Sequence, residues 1–215
     1  MPPDDLVLAF DTSAAHCAAA LLSGDRVLAE RYEPMEKGQA ERLMPMLADM
    51  LAEVGVAWCD LARIGVGTGP GNFTGVRISV AAARGLALGL GIPACGVSSL
   101  QAQALGAKGA VLSSLDARKG GVYLQSFGQS EVLVAQILDI AHLPPMPPAL
   151  CIGFAAEAIA AHCAGQAAPP RYPLCEAIAR LAKTQNAANG PRPAPFYLRS
   201  TDAAPPSDPP PLILP

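Results

Sequence analysis

The stretch GTGPGNFTGVR, residues 67–77, joins a predicted strand to a predicted helix. The short apolar run Ile64–Gly67 leads into it, and an alanine-rich segment with helical composition follows from about Thr74 to Leu90. A second short strand is predicted at Pro93–Val97. A strand, a glycine-rich turn, a helix and a strand in this order indicate two parallel strands joined by a crossover helix.

The chain before this unit is predicted to contain three strands and one helix. Leu6–Phe10, His16–Leu22 and Val27–Tyr32 are short apolar or alternating runs, and Ser-Gly-Asp-Arg between the last two is a hairpin signal. The segment Ala40–Gly55 has its apolar residues at helical spacing. The order β-β-β-α-β-α-β predicts a ribonuclease-H-like α/β lobe, with three antiparallel strands extended by two parallel ones.

From residue 105 onward the same pattern returns in a shorter form. Ala110–Leu115 and Val122–Phe127 are predicted to form a hairpin, with further strands over residues 131–138 and 149–154 and helices over 155–165 and 176–185. We therefore predict an N-terminal lobe over residues 1–104 and a reduced C-terminal lobe over 105–199. The proline-rich composition of residues 200–215 predicts a disordered tail.

Two interpretations of the glycine-rich stretch are open from its residues alone. A helix start offers free N–H groups to a phosphate, but neither G-x-G-x-x-G in register nor a Walker lysine is present. As a plain helix start, Thr74 would be the N-cap, and Phe73 would pack on Ile78 as a hydrophobic staple. Arg77 would then lie at N3, where a cation opposes the helix dipole by about 0.3–1 kcal/mol. It is therefore expected to have an acceptor, either Asp11 or a neighbouring chain.

The helix predicted at Ala40–Gly55 carries one continuous apolar stripe. One alternative is that the stripe faces the core of its own lobe. The other is a helix–helix interface, because methionine side chains adapt to partner surfaces. The stripe consists of Leu43, Met46, Leu47, Met50, Leu51 and Val54.

Composition narrows the class of protein. A net charge of −3 and 5% aromatic residues do not favour a free-standing nucleic-acid-binding protein. Six cysteines without a C-x-x-C pair indicate free thiols in a reducing, cytoplasmic setting. The N-terminus lacks the basic region of a signal peptide. The uninterrupted apolar runs, of which Leu86–Val97 comes nearest, are too short to span a bilayer, so no membrane association is expected.

Residues with catalytic or metal-binding chemistry are few. His16, His142 and His162 do not have the spacing of metal ligands, and a nucleophilic pair of His162 with the adjacent Cys163 has no specific support. Asp11 and Asp116 each follow an apolar strand and could hold a cation-bound nucleotide. A turn-forming aspartate at a strand end is an equally good interpretation.

Several segments together resemble one family. LAFDTS, AERLMPML, GTGPGNFTGVRISVAAARGLA, IPACGVSSL, DARKGGVY and PFYLR occur in the expected order between Leu6 and Arg199. They are similar to the TsaB family, also called YeaZ, and the segment Gly69–Arg77 is specific to it. The resemblance implies an actin-like ATPase (ASKHA) fold of two ribonuclease-H-like lobes, the second reduced.

The resemblance also implies a function. TsaB-like proteins form a heterodimer with TsaD and, with the ATPase TsaE, support transfer of a threonylcarbamoyl group to adenosine 37 of tRNAs that read ANN codons. On this basis the chain is expected to be a non-catalytic activator that meets tRNA only through the complex. ATP and metal are expected on the partners, and no cofactor on this chain.

The residues at the catalytic positions depart from the pattern of TsaD. The resemblance places Ser99 and Gln103 where TsaD has two metal-binding histidines, and neither replaces imidazole. The turn DTSAA lacks the glycine usual after the first aspartate, and DARKGG is not a second phosphate loop. An active enzyme of the same superfamily, a small-molecule kinase or a glycoprotease-like peptidase, is the alternative.

The resemblance assigns two sets of site residues. The first-lobe helices are expected to bind TsaD and, without it, to pair two copies of the chain as a homodimer, because an exposed apolar face of this size tends to associate. The expected partner contacts are Leu43, Met46, Leu47, Met50, Leu51, Phe73, Arg77, Val80, Ala81 and Arg84. A vestigial nucleotide or cation site would consist of Asp11, Thr12, Ser13, Gly69, Gly71 and Asp116.

Overall fold

A mixed five-stranded sheet forms the centre of the first lobe. The computed structural model describes residues 6–128, 133–185 and 190–198, so the predicted tail over 200–215 lies outside the described residues. The strands lie in the order β3-β2-β1-β4-β5, antiparallel across β3, β2 and β1 and parallel across β1, β4 and β5. They are β1 Leu6–Asp11, β2 His16–Ser23, β3 Arg26–Pro34, β4 Leu61–Gly67 and β5 Ala94–Val97.

The second sheet repeats this arrangement with shorter strands. Its order is β10-β9-β6-β7-β8, antiparallel across β6, β7 and β8 and parallel across β6, β9 and β10. The duplicated α/β architecture confirms the predicted fold class. The strands are β6 Val111–Asp116, β7 Gly121–Phe127, β8 Gln136–Asp139, β9 Leu150–Gly153 and β10 Gln166–Ala168.

Helices cover the two sheets unequally. In the first lobe α1 joins β3 to β4, whereas the corresponding link from β8 to β9 holds only a single 3₁₀ turn, Ile140–His142, and a loop. Another 3₁₀ turn, Trp58–Asp60, leads into β4. The second lobe is smaller than the first because no α-helix corresponding to α1 lies between its strands β8 and β9. The described ranges contain five helices, which are α1 Gln39–Glu53, α2 Phe73–Leu90, α3 Ser99–Ala104, α4 Ala156–His162 and α5 Leu174–Thr184.

The apolar stripe of α1 faces the core of its own lobe, which is the first of the two alternatives. Its five central side chains are at most 2% exposed and join a cluster with Phe10, Leu21 and Ile64. They leave no surface for a partner, so the expectation that they contact one is corrected by their burial. The buried set is Leu43, Met46, Leu47, Met50 and Leu51.

Helix α5 brings the chain back to the first sheet. It packs on the face opposite to α1 and α2, against β1, β2 and β4. Ile178 and Ala182 approach Gly65 of β4 so closely that a Cβ at Gly65 would be in tight contact with both. The residues between 105 and 199 therefore contribute one helix to the core of the first lobe.

Helix α2 packs by one face and exposes the other. Val76, Val80 and Ala83 are buried in the first-lobe core. By length and composition alone, α2 is the one helix in the described ranges that could cross a membrane, although 28% of it is buried and it carries Arg77 and Arg84. Small and apolar residues over 18 positions raise its mean hydropathy to 1.3.

Candidate functional site

The glycine-rich stretch packs against the turn that follows β1. A Cβ at Gly67 would overlap the carboxylate of Asp11, and one at Gly75 would overlap the carbonyl oxygen of Thr12. Gly71 meets the carbonyl of Ser13 in the same way. The glycines at positions 67, 71 and 75 therefore let the glycine-rich stretch approach the backbone of the turn after β1 closely.

Asn72, rather than Thr74, is the N-cap of α2, which corrects the prediction. The Asn72 side chain accepts hydrogen bonds from the backbone N–H groups of Thr74 at 3.0 Å and Gly75 at 3.1 Å. This is how an N-cap asparagine satisfies the first orphan donors of a helix. The helix thus begins at Phe73, so Phe73 is N1 and cannot form the predicted staple.

Three N–H donors at the start of α2, those of Asn72, Thr74 and Gly75, are bonded within the chain. The N–H of Asn72 donates to the carbonyl of Ser13 at 2.6 Å, and the hydroxyl of Thr12 donates to the carbonyl of Gly75 at 2.6 Å. The atoms facing Gly71 and Gly75 are carbonyl oxygens, which repel an anion. These residues therefore do not fit the phosphates of the nucleotide that an actin-like ATPase fold implies.

Asp11 is the centre of a buried polar cluster behind this turn. Its Oδ1 atom accepts from the backbone N–H of Ser13 at 2.9 Å and from the Ser13 hydroxyl at 2.8 Å. His16 Nε2 lies 2.8 Å from the same oxygen. The other oxygen, Oδ2, is buried and has no hydrogen-bond partner within the described part of the chain. The carboxylate thus fixes the turn between β1 and β2.

Arg77 is held by the C-terminal segment of the described chain. Its Nε donates a 3.0 Å hydrogen bond to the hydroxyl of Tyr197, and its guanidinium lies 3.9 Å from the centroid of the Phe73 ring. The rings of Phe73 and Tyr197 stack with centroids 5.0 Å apart. The prediction that Arg77 needs an acceptor is confirmed. Asp11 as the acceptor is wrong, because Asp11 lies behind the turn, and a neighbouring chain as an acceptor stays a prediction.

A cleft of about 1060 Å³ separates the two lobes. Ser13 and Gly71 line its first-lobe wall, and Asp116 lines the second-lobe wall with its Oδ1 atom bonded to the N–H of Arg118 at 2.6 Å. Asp11, Thr12 and Gly69 of the predicted nucleotide or cation site are not among the lining residues. Within the described ranges, no three histidine, cysteine or acidic side chains gather in a metal-binding group.

Ser99 and Gln103 both reach the cleft. Ser99 is 2% exposed, and its backbone N–H donates to the carbonyl of Gly69 at 2.8 Å. The Ser99 hydroxyl and the Gln103 Oε1 atom are buried and have no partner in the described residues. The two positions that the resemblance aligns with metal ligands therefore lie in the cleft, as a hydroxyl and a carboxamide.

The predicted partner residues on α2 divide between the two faces of the helix. Phe73, Arg77, Ala81 and Arg84 are exposed, whereas Val80 is only 3% exposed and belongs to the core. Two large apolar residues outside the predicted set are also exposed on the first-lobe helices. They are Leu88 on α2, at 84% exposed, and Met44 on α1, at 39%.

Sequence reasoning missed the aromatic lining of the cleft. All four tyrosines of the chain line it, namely Tyr32, Tyr123, Tyr172 and Tyr197. They come from β3, β7, the loop before α5 and the C-terminal segment. No local pattern connects four single residues so far apart in sequence. The contact of His16 with Asp11 was also missed, although the two residues are only five positions apart across one predicted turn.

Comparisons of sequence and fold show which known proteins this chain resembles. The family model described as TsaD, tRNA N6-adenosine threonylcarbamoyltransferase, matches residues 32–193. The protein TsaB of Escherichia coli K12, described as a tRNA threonylcarbamoyladenosine biosynthesis protein, is 40% identical over 130 residues, which are 58% of this chain and 56% of that protein. The match to TsaB of Bacillus subtilis 168 is 38% over 135 residues, 61% of this chain and 59% of that protein. These matches thus span less than two thirds of each curated relative.

Two further comparisons cover almost the whole chain. An uncharacterized protein of Mycobacterium tuberculosis H37Rv is 35% identical over 202 residues, 93% of this chain and 94% of that protein. The solved structure of YeaZ from Pseudomonas aeruginosa superposes with a TM-score of 0.71 at 29% identity, over 90% of this chain and 100% of that one. The family model covers well over half of the chain. The chain therefore belongs to the TsaD family that the model describes and, within it, to the TsaB (YeaZ) members.

Proposed function

We propose that this protein acts in tRNA threonylcarbamoyladenosine biosynthesis as a non-catalytic subunit that binds and activates TsaD. The observation that carries the proposal is its 40% identity to a protein of that pathway, in a chain that the TsaD model also matches. In this proposal TsaD and the ATPase TsaE supply the metal and the nucleotide. The product is threonylcarbamoyl-modified adenosine 37 in tRNAs that read ANN codons.

The polar groups of the cleft support a non-catalytic role. The N–H groups of Thr74 and Gly75 are occupied by the Asn72 side chain and that of Asn72 by the carbonyl of Ser13, so the start of α2 is a poor cradle for a nucleotide phosphate. A serine hydroxyl and a carboxamide at Ser99 and Gln103 are poor ligands for a transition metal. Catalysis is therefore assigned to the partner, and tRNA meets this chain through the complex in the cytoplasm.

The exposed face of α2 supports a helix-mediated contact with TsaD. A Cβ added at Gly85 or Gly89 would meet no atom within 4 Å, so a partner helix could approach the backbone there. Arg77 and Arg84 lie on the same exposed face of α2 as these glycines and provide charged contacts at its edge. In the absence of TsaD, the same face is proposed to pair two copies of this chain.

A substitution pair on two exposed alanines tests this interface. Ala81→Arg places a long charged side chain on the exposed face of α2, whereas Ala161→Arg makes the same change on α4 of the other lobe. The proposal predicts that the first variant loses most of its affinity for TsaD in calorimetry and that the second binds like the native chain. Equal binding by both variants would remove α2 from the interface. Absence of binding by the native chain would refute the TsaD partnership itself.

A further inference from the structure

The cleft between the lobes concentrates the aromatic residues of this protein. The chain has ten aromatic residues, and six of them line the cleft: the four tyrosines, Phe73 and Phe196. Tyr32 is 62% exposed, so its ring is open to a ligand. Phe73 and Tyr197 are 37% and 41% exposed and stack on each other, with Arg77 over the Phe73 ring. An aromatic surface that remains open to solvent at this density is unusual in a chain with 5% aromatic residues, and such surfaces mark binding sites.

The polar groups among these rings favour a ligand that accepts hydrogen bonds. The hydroxyls of Tyr32, Tyr123 and Tyr172 lie among the side chains that line the cleft, and the buried hydroxyl of Ser99 has no hydrogen-bond partner in the described part of the chain. Hydroxyl groups on aromatic rings are the features with which grooves bind polyproline II segments. The rings pack on the prolines of the segment. The hydroxyls donate hydrogen bonds to its backbone carbonyls, which have no internal hydrogen bonds in a polyproline II helix.

The C-terminal part of the described chain leads into this cleft. The N–H of Phe196 donates to the carbonyl of Thr68 at 2.8 Å, which fixes the segment beside the glycine-rich stretch. Tyr197 then stacks on Phe73, and Leu198 lines the cleft. The residues after Leu198 are outside the described ranges, so the described chain ends at a residue that lines the aromatic cleft.

The sequence after Leu198 has the composition that such a groove binds. Residues 204–211 read APPSDPPP, which contains a P-x-x-P motif at Pro206–Pro209. Pro205 follows Leu198 by seven positions, a stretch that can extend to about 23 Å. A segment tethered so close to its site has an effective concentration on the order of millimolar, so that even a weak site would be occupied.

We propose that the proline-rich segment Pro205–Pro211 of this chain binds in the cleft between its own two lobes, with its prolines against Tyr32 and Tyr172. The cleft then serves as a peptide site filled in cis rather than as a nucleotide site. This inference does not rest on the pathway or on TsaD. It assigns a ligand to the tyrosines and to Ser99, which the proposed function leaves without a role.

Paramagnetic NMR of the full chain tests the proposal. A spin label is placed at Ser207→Cys in a Cys59→Ser background, because the other five cysteines are buried. The amide signals of Tyr32 and Tyr172, which both line the cleft, are expected to lose most of their intensity. Replacing Pro206 and Pro209 by alanine in the same chain is expected to restore them. Broadening confined to the residues next to Leu198 would overturn the proposal.

Two controls establish that the broadening comes from the cleft and from the same chain. Tyr32→Ala should restore the Tyr172 signal, whereas Phe154→Ala, at an exposed aromatic residue that does not line the cleft, should leave the broadening unchanged. A mixture of isotope-labelled chain without spin label and spin-labelled chain without isotope is expected to show no broadening. Broadening in that mixture would assign the segment to the cleft of a second copy and contradict binding in cis.

Discussion

Arg77 donates a 3.0 Å hydrogen bond to the hydroxyl of Tyr197, 120 residues further along the chain. The contact joins the first turn-and-a-half of α2 to the segment that closes the first lobe over the glycine-rich stretch. It occurs at the edge of the α2 face that we propose for partner binding. The guanidinium of Arg77 therefore links the position of the C-terminal segment to that face of α2.

Arg77→Ala is expected to destabilise the fold only slightly while loosening the C-terminal segment. The guanidinium is exposed, so loss of its hydrogen bond and of its contact with the Phe73 ring should cost about 0.5–1 kcal/mol. Denaturant unfolding measures the cost, and hydrogen exchange at Phe196 and Tyr197 should become faster. A loss above about 3 kcal/mol would show that Arg77 has a larger structural role than its exposure indicates.

Two glycines of α2 are expected to respond in opposite directions to alanine. Gly75→Ala forces a Cβ onto the carbonyl of Thr12, and overpacking of this kind costs about 1–3 kcal/mol. Gly85→Ala meets open space in the same helix, and higher helix propensity should stabilise the fold by about 0.5–1 kcal/mol. Urea unfolding of both variants measures the difference. Equal effects would contradict the close contact of the two turns.

The isolated chain is expected not to bind Mg-ATP at micromolar concentration. The reason is local, because the N–H groups of Thr74 and Gly75 are already bonded to the Asn72 side chain, and the carbonyls of Thr12 and Ser13 face the glycines. Calorimetric titration checks this, with circular dichroism of the same sample as the control for folding. Micromolar binding of the nucleotide would revive the alternative of an active kinase-like enzyme.

One thiol is expected to react quickly in the native protein. Cys59 is exposed, whereas the other five cysteines are buried. Burial raises the pKa of Cys17 to about 11, and burial together with the neighbouring Cys163 raises the pKa of Cys151 to about 12. Because the thiolate is the reactive form, these two groups are protected at about pH 8 by both access and protonation. A colorimetric thiol assay should find one fast group, abolished by Cys59→Ser, and six after denaturation of the native chain.

The sequence predicted the first lobe better than the second. Leu6–Phe10, His16–Leu22 and the α1 stripe have strong periodicity, and the observed elements differ from the predictions by only a few residues. The short helix α3 and strand β10 were not predicted, because six and three residues carry no readable period. Their structure depends on tertiary contacts and on local caps such as Ser98, which accepts from the N–H of Gln101 at the start of α3.

The site was harder to predict than the fold. The glycine-rich stretch was recognisable, but its N-cap depends on which of Asn72 and Thr74 adopts the extended backbone, and both are good caps. The partner of Arg77 lies 120 residues away and could not be found by spacing. The α1 stripe fits both a core and an interface in sequence, and the burial of Leu43 and Met50 shows that it is a core.

Reconstituted modification of tRNA tests the central proposal most directly. Threonylcarbamoyl transfer to adenosine 37 is measured with TsaD, TsaE, threonylcarbamoyl-adenylate and tRNA, with and without this protein. We expect modification only when this protein is present, none when this protein replaces TsaD, and loss of most of the activity with Ala81→Arg but not with Ala161→Arg. Equal modification with and without the protein, or modification by this protein without TsaD, would contradict the account.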